Sequence, residues 1–191
     1  MPRLNRRSVV GGGLSLAIGG MTSPLCGAQN WTGKRVLVVY HSRTGHTRTV
    51  AETIRRRTGG DLVEIETVAP YPEDYQALVA QNVEDQRSGF LPPLRTRVGD
   101  IANYEIVFVG SPLWNIRLTP PIRSFLSSHE LAGKAVAPFV TYIVSGLGNS
   151  RKDIADLAPR SHILDGLAVL GEEAMQADNL VAQWLAIVNS Q

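Results

Sequence analysis

From residue 34 onward, apolar positions fall into two alternating rhythms. Arg35–Tyr40, Glu105–Gly110 and Ala135–Tyr142 are nearly unbroken runs of β-branched and other apolar residues, the pattern of strands buried on both faces. Asp61–Glu66 alternates, as a peripheral strand does, and His162–Val169 supplies the last strand. Between them lie helical spacings. Gly45–Thr58 places Val50, Ala51 and Ile54 on one face, and Gly59-Gly60 stops it. Glu73–Arg87 carries Tyr75, Leu78, Val79 and Val83 on one stripe before Pro92-Pro93 breaks the chain. Pro120–Ser127 opens on a proline pair suited to a first turn; Ser150–Leu157 and Ala174–Val188 complete the set, with Trp184 read as core. Five strands alternating with helices through short links predict an α/β fold: a three-layer, doubly wound parallel sheet. No repeat or second domain interrupts it.

Composition agrees with one globular domain: 191 residues, 43% hydrophobic and 19% charged. The net charge of +2 would invite nucleic acid, but its position removes that reading. No acid precedes Glu52, whereas Arg3, Arg6 and Arg7 crowd the start, ahead of a short, glycine-rich apolar stretch and the small pair Gly27-Ala28. This is the outline of an export signal, too short and too rich in glycine for a membrane-spanning helix. Arg6-Arg7 followed by Ser8-Val9-Val10 resembles a twin-arginine signal, although that pattern prefers Phe and Leu at these places. The resemblance implies bacterial export of a folded protein to the periplasm, with residues 1–28 as signal, 29–33 as linker and 34–191 as domain. Cleavage after Ala28 leaves 16 basic against 17 acidic residues, a net charge of −1, and removes the only cysteine. Neither a membrane span nor nucleic-acid binding is then expected.

In a doubly wound sheet, ligands bind at the carboxyl ends of the strands. Three loops there carry unusual residues. Ser42, Arg43, Thr44, Gly45, His46 and Thr47 offer hydroxyls and a glycine turn at a helix N-terminus, where amides and dipole favour a phosphate. Plain capping by Ser42 or Thr44 explains them as well. The loop lacks the endings that hold nucleoside triphosphates or dinucleotides, so a monophosphate fits better. Ser111, Pro112, Leu113, Trp114 and Asn115 bring an indole to a second strand end, and Thr141, Tyr142, Ser145, Gly146, Leu147 and Gly148 bring a phenol and two glycines to a third. Local core packing and ordinary glycine turns are the alternatives.

The spacing Ser42-x-Thr44-Gly45-x-Thr47 after a buried strand resembles the flavodoxin phosphate loop. Ala69-Pro70-Tyr71-Pro72, Gly110-Ser111-Pro112-Leu113-Trp114, Pro121-x-x-x-Phe125-Leu126 and Ser145-Gly146-Leu147-Gly148 are similar to one branch of flavodoxin-like proteins. That resemblance covers roughly residues 35 to 185 and implies strand order 2-1-3-4-5 with FMN as cofactor. It implies that Ser42–Thr47 hold the phosphate, that Ser111–Asn115 border the ribityl chain and ring, and that Thr141, Tyr142 and Ser145–Gly148 close the other side. The branch usually has Asn at His46, an aromatic and Gly at Asn115-Ile116, and His-Gly-Gly at Tyr142-Ile143-Val144. The phosphate end is therefore better kept than the ring end.

No nucleophile–base pair, paired carboxylates or metal-ligand cluster stands out, so no catalytic side chain is expected. Arg43, Arg48 and Arg117 lie on or near the loops without acids, a setting that predicts a flavin potential less negative than in acidic-loop flavodoxins. Three functions follow: an electron-transfer flavoprotein whose partner is a redox protein; an FMN-dependent oxidoreductase joining a nicotinamide or quinol to a small acceptor such as a quinone; or a related fold that has lost FMN.

Overall fold

The computed structural model describes Trp31 and residues 33–191; the expected signal, residues 1–28, lies outside the described residues. The strands are β1 (Val36–Tyr40), β2 (Asp61–Glu64), β3 (Ile106–Trp114), β4 (Arg117–Leu118), β5 (Ala135–Tyr142), β6 (His162–Ile163) and β7 (Leu167–Leu170). The helices are α1 (His46–Thr58), α2 (Tyr75–Ser88), α3 (Pro120–Ser128), α4 (Ser150–Leu157) and α5 (Asp178–Asn189). The parallel strands run in the order β2-β1-β3-β5-β6, with β7 on the same side of β5 as β6 and β4 antiparallel to the end of β3.

The five expected strand positions are all present, and two differ in detail. The last strand is interrupted between Ile163 and Leu167. Ala135 faces His162, whereas Phe139 faces Leu167, so three residues on the outer strand oppose two on β5. This is a one-residue bulge. β3 runs on through Ser111 and Pro112 to Trp114, because Ser111 and Pro112 still register against Val140 and Thr141 of β5. The closing helix also begins later than expected, at Asp178, after a 3-10 segment over Gly171–Gln176.

Strand alternation divides the core into two layers. Val36, Val38, Tyr40 and Phe108 face α1 and α5, joined by Trp184, whose ring meets Phe108 at 5.3 Å. Leu37, Val39, Val107 and Val109 face α3 and α4, against Phe125 and Ile154. Trp31, inside the expected linker, is only 5% exposed and packs edge-on against Phe108 at 5.8 Å. The packed structure thus reaches back to Trp31. Among the described residues, no helix is long and apolar enough to cross a membrane.

Candidate functional site

The carboxyl ends of β1, β3, β5 and β7 open into a cleft of about 810 Å³. From the three expected loops it is lined by Arg43, Thr44, His46, Pro112, Leu113, Trp114, Asn115, Thr141 and Tyr142. Gly45, at φ 91°, turns the chain out of the first loop into α1. The Ser42 hydroxyl accepts from the Arg48 amide at 3.3 Å. Among the described residues, no acceptor meets the amides of His46 and Thr47. Those two donors, at the positive end of α1, are free for an anion.

Several expected hydroxyls bond inward, and one expected loop stands off the cleft. The hydroxyls of Thr47 and Thr141 share a buried hydrogen bond at 2.8 Å, tying α1 to β5. Ser111 is fully buried and accepts from the Thr119 amide at 3.0 Å, at the start of α3. Ser145, Gly146, Leu147 and Gly148 do not line the cleft. At Gly148, φ is +49° and a Cβ would overlap the Ile116 carbonyl, which accepts from the Asn149 amide at 2.7 Å. Glycine there lets the loop before α4 clamp the β3–β4 hairpin.

Trp114 is held on three sides. His41 and Tyr71 meet its ring edge-on at 5.6 and 5.2 Å, and Gln86 of α2 donates to its carbonyl at 2.7 Å. Burial pushes the His41 imidazole below its usual pKa. Its Nδ1 lies 3.1 Å from the Ile65 carbonyl, which can only accept, so the proton is on Nδ1. Burial, reinforced by the Asp85 carboxylate that accepts its hydroxyl proton at 2.6 Å, pushes the Tyr71 phenol up.

Sequence reasoning missed two walls. Tyr75, Leu78, Val79, Asn82 and Val83 of α2 line the cleft, and of the apolar stripe only Leu78 is buried. Leu170, Gly171 and Glu172 close the far end. The α2 wall was present in the sequence as an apolar stripe on an otherwise polar helix. Nothing local marked Gly171 or Glu172. The expected excess of positive charge also shrinks: Arg48 pairs with Glu64 at 2.6 Å and Arg117 with Asp153, so only Arg43 lines the cleft, with Glu172 opposing it. That removes the electrostatic basis for the less negative potential.

The hairpin tip is strained. Asn115 and Ile116 have φ of 49° and 59°, as two-residue hairpin loops require. In left-handed backbone a β-branched side chain costs about 1–2 kcal/mol, and Ile116 is 50% exposed, so burial offsets little. Ile116→Gly is expected to raise Tm by about 2–4 °C in calorimetry. A lower Tm would show that the side chain stabilises the tip.

With the fold and cleft described, kinship can be read. The flavodoxin family model matches residues 35–188. The chain belongs to the flavodoxin family. A presumed flavoprotein of Bacteroides eggerthii, known from a crystal structure, is similar over 81% of this chain and 97% of its own, with 28% identity and a TM-score of 0.70. A flavoprotein of Lactobacillus acidophilus crystallised in complex with FMN matches 80% of this flavodoxin-family chain and 99% of its own at 20% identity and TM-score 0.67, a likeness of fold. An NAD(P)H dehydrogenase (quinone) of Cupriavidus metallidurans is 34% identical over 97 residues, 48% of this chain and 45% of that protein. The match thus spans about half the length of that relative.

Proposed function

We propose that this flavodoxin-family protein binds FMN in the 810 Å³ cleft and carries electrons in the bacterial cell envelope. The observation behind this reading is that the start of α1, where the His46 and Thr47 amides lack acceptors, meets the same cleft as Trp114 through His46. The residues fit the group. His46 and Thr47 amides, with Arg43 and Thr44, suit a phosphate, and Pro112, Leu113, Trp114 and Tyr142 suit a flat aromatic ring. Of the β-branched replacements at the third loop, Ile143 stands on the cleft wall beside Tyr142, whereas Val144 does not line the cleft; both are exposed, at 84% and 90%. Bound FMN supplies one- and two-electron redox chemistry. The protein orients it and shields one side with α2.

Export through a twin-arginine signal is the proposed route to the envelope, supported by the arginine-bearing residues 1–28. The proposed partner is another redox protein. A second reading, an FMN-dependent oxidoreductase reducing a quinone, draws on the exposed apolar side chains of Tyr75, Val79 and Val83 along the cleft. Such a wall suits a small, flat, apolar acceptor.

Purified protein is expected to quench FMN fluorescence on titration, and Trp114→Ala to weaken binding at least about tenfold. Absence of quenching would end both redox readings. Steady-state turnover with NADH, NADPH and quinones separates carrier from enzyme, and cell fractionation tests the envelope location.

A further inference from the structure

We propose that Asp85 is a positioning residue for the flavin ring: through Tyr71 it fixes the plane of the Trp114 indole, and so sets how tightly the ring end of the cleft binds. The proposal rests on the FMN reading and names a determinant of affinity at the same site. Asp85 lies on the inner side of α2 and is 7% exposed. Its carboxylate accepts the Tyr71 phenol proton at 2.6 Å, and among the described residues Tyr71 is the one side-chain donor that meets it. Tyr71 in turn meets the Trp114 ring at 68°, with centroids 5.2 Å apart. Trp114 lines the cleft, whereas Tyr71 and Asp85 do not, so both act on a ligand only through the indole.

A contact between two aromatic rings tolerates a range of geometries. A hydrogen bond of 2.6 Å from a phenol to a carboxylate does not, because charge-assisted bonds are short and strong. That bond holds the Tyr71 ring against the indole, and the His41 ring stands against it as well, at 87° and 5.6 Å. The next residue of α2 completes the grip, since Gln86 donates to the Trp114 carbonyl at 2.7 Å. Adjacent α2 residues thus hold the side chain and the backbone of one cleft residue. An indole that is set before the ligand arrives loses less freedom on binding, and ordering one such side chain costs about three- to tenfold in affinity.

Flavin fluorescence titration of the apoprotein reads the effect, with FMN and with riboflavin, which lacks the phosphate. Tyr71→Phe keeps the ring and removes the hydroxyl. It is expected to weaken both probes by the same factor, about three- to tenfold, because the lost order lies at the ring end. Asp85→Asn still offers the phenol an acceptor and is expected to recover the affinity that Asp85→Leu loses. Tyr71→Phe also leaves a buried carboxylate without its donor, so stability falls with it. Combining Tyr71→Phe with Asp85→Leu removes both polar groups and should regain Tm while riboflavin still binds weakly. In the flavin-free protein labelled with fluorotryptophan, Tyr71→Phe is expected to shift or broaden the Trp114 resonance, assigned with Trp114→Phe, and to leave those of Trp31 and Trp184 in place. An unmoved Trp114 resonance, a loss confined to FMN, or affinity that returns with Tm in the double variant overturns the positioning role and leaves the FMN reading standing. Parent protein that binds neither flavin overturns both.

Discussion

Alanine at position 110 is expected to destabilise the fold by about 3 kcal/mol and to lower Tm by roughly 6–12 °C. Gly110 is the β3 residue that faces Phe139 on β5, and a Cβ there would fall within the Phe139 ring. Phe139 is fully buried and wedged near Trp184, at 6.5 Å between rings, so it has nowhere to turn. Small-to-large changes in a packed core force side chains off their rotamers or shift backbone. Here the backbone that would shift leads into Ser111 and Trp114, so FMN affinity should fall with stability. Phe139→Leu in the Gly110→Ala background should restore part of the lost Tm, because the pair is in direct contact. A Gly110→Ala protein melting within about 1 °C of the parent would show that the ring moves freely.

Asp153→Ala is the second large loss, expected at about 3–4 kcal/mol in urea unfolding. The Asp153 carboxylate is 1% exposed and accepts from Arg117 Nε at 2.9 Å, from Arg117 Nη2 and from the Leu118 amide at 3.0 Å. Alanine leaves a buried amide without an acceptor and a guanidinium without its counter-charge. The loss spreads to Arg123 on α3, whose Nε and Nη1 are buried without partners among the described residues. Burial first, and the like charge of Arg117 second, push that guanidinium below its ordinary pKa, opposed by Asp153 and Asp156. Removing Asp153 takes away the carboxylate that does more than Asp156 to favour the charged Arg123. Replacing Arg117 by Leu together with Asp153→Ala should be milder than Asp153→Ala alone. Equal or greater loss in the double variant would show that the amide, not the ion pair, dominates.

Architecture was legible because parallel strands buried on both faces announce themselves as continuous apolar runs. Residues 35–40, 105–110 and 135–142 could be little else. What escaped depended on distance in sequence. Ser111-Pro112 reads as a loop until β5 is known to lie beside it. Hydroxyl direction is a tertiary property, so nothing local shows that Thr47 and Ser111 bond inward to Thr141 and Thr119. Arg48 and Arg117 look unneutralised until the fold brings Glu64 and Asp153 to them. A periodic apolar stripe states that one face of α2 is special, not whether core or cleft receives it. All four stripe residues face the cleft, Leu78 buried at its wall and Tyr75, Val79 and Val83 exposed along it.

The bulge in the outer strand has a consequence for how copies of this chain meet one another. An open parallel sheet has two edges, each a row of backbone groups able to recruit a foreign strand. One edge here is β2, four residues long and bearing Asp61 and Glu64. The other is split at Leu164–Gly166 into pieces of two and four residues. Neither offers a long, flat, apolar rim, so strand addition and edge-to-edge aggregation are disfavoured at both sides of the sheet.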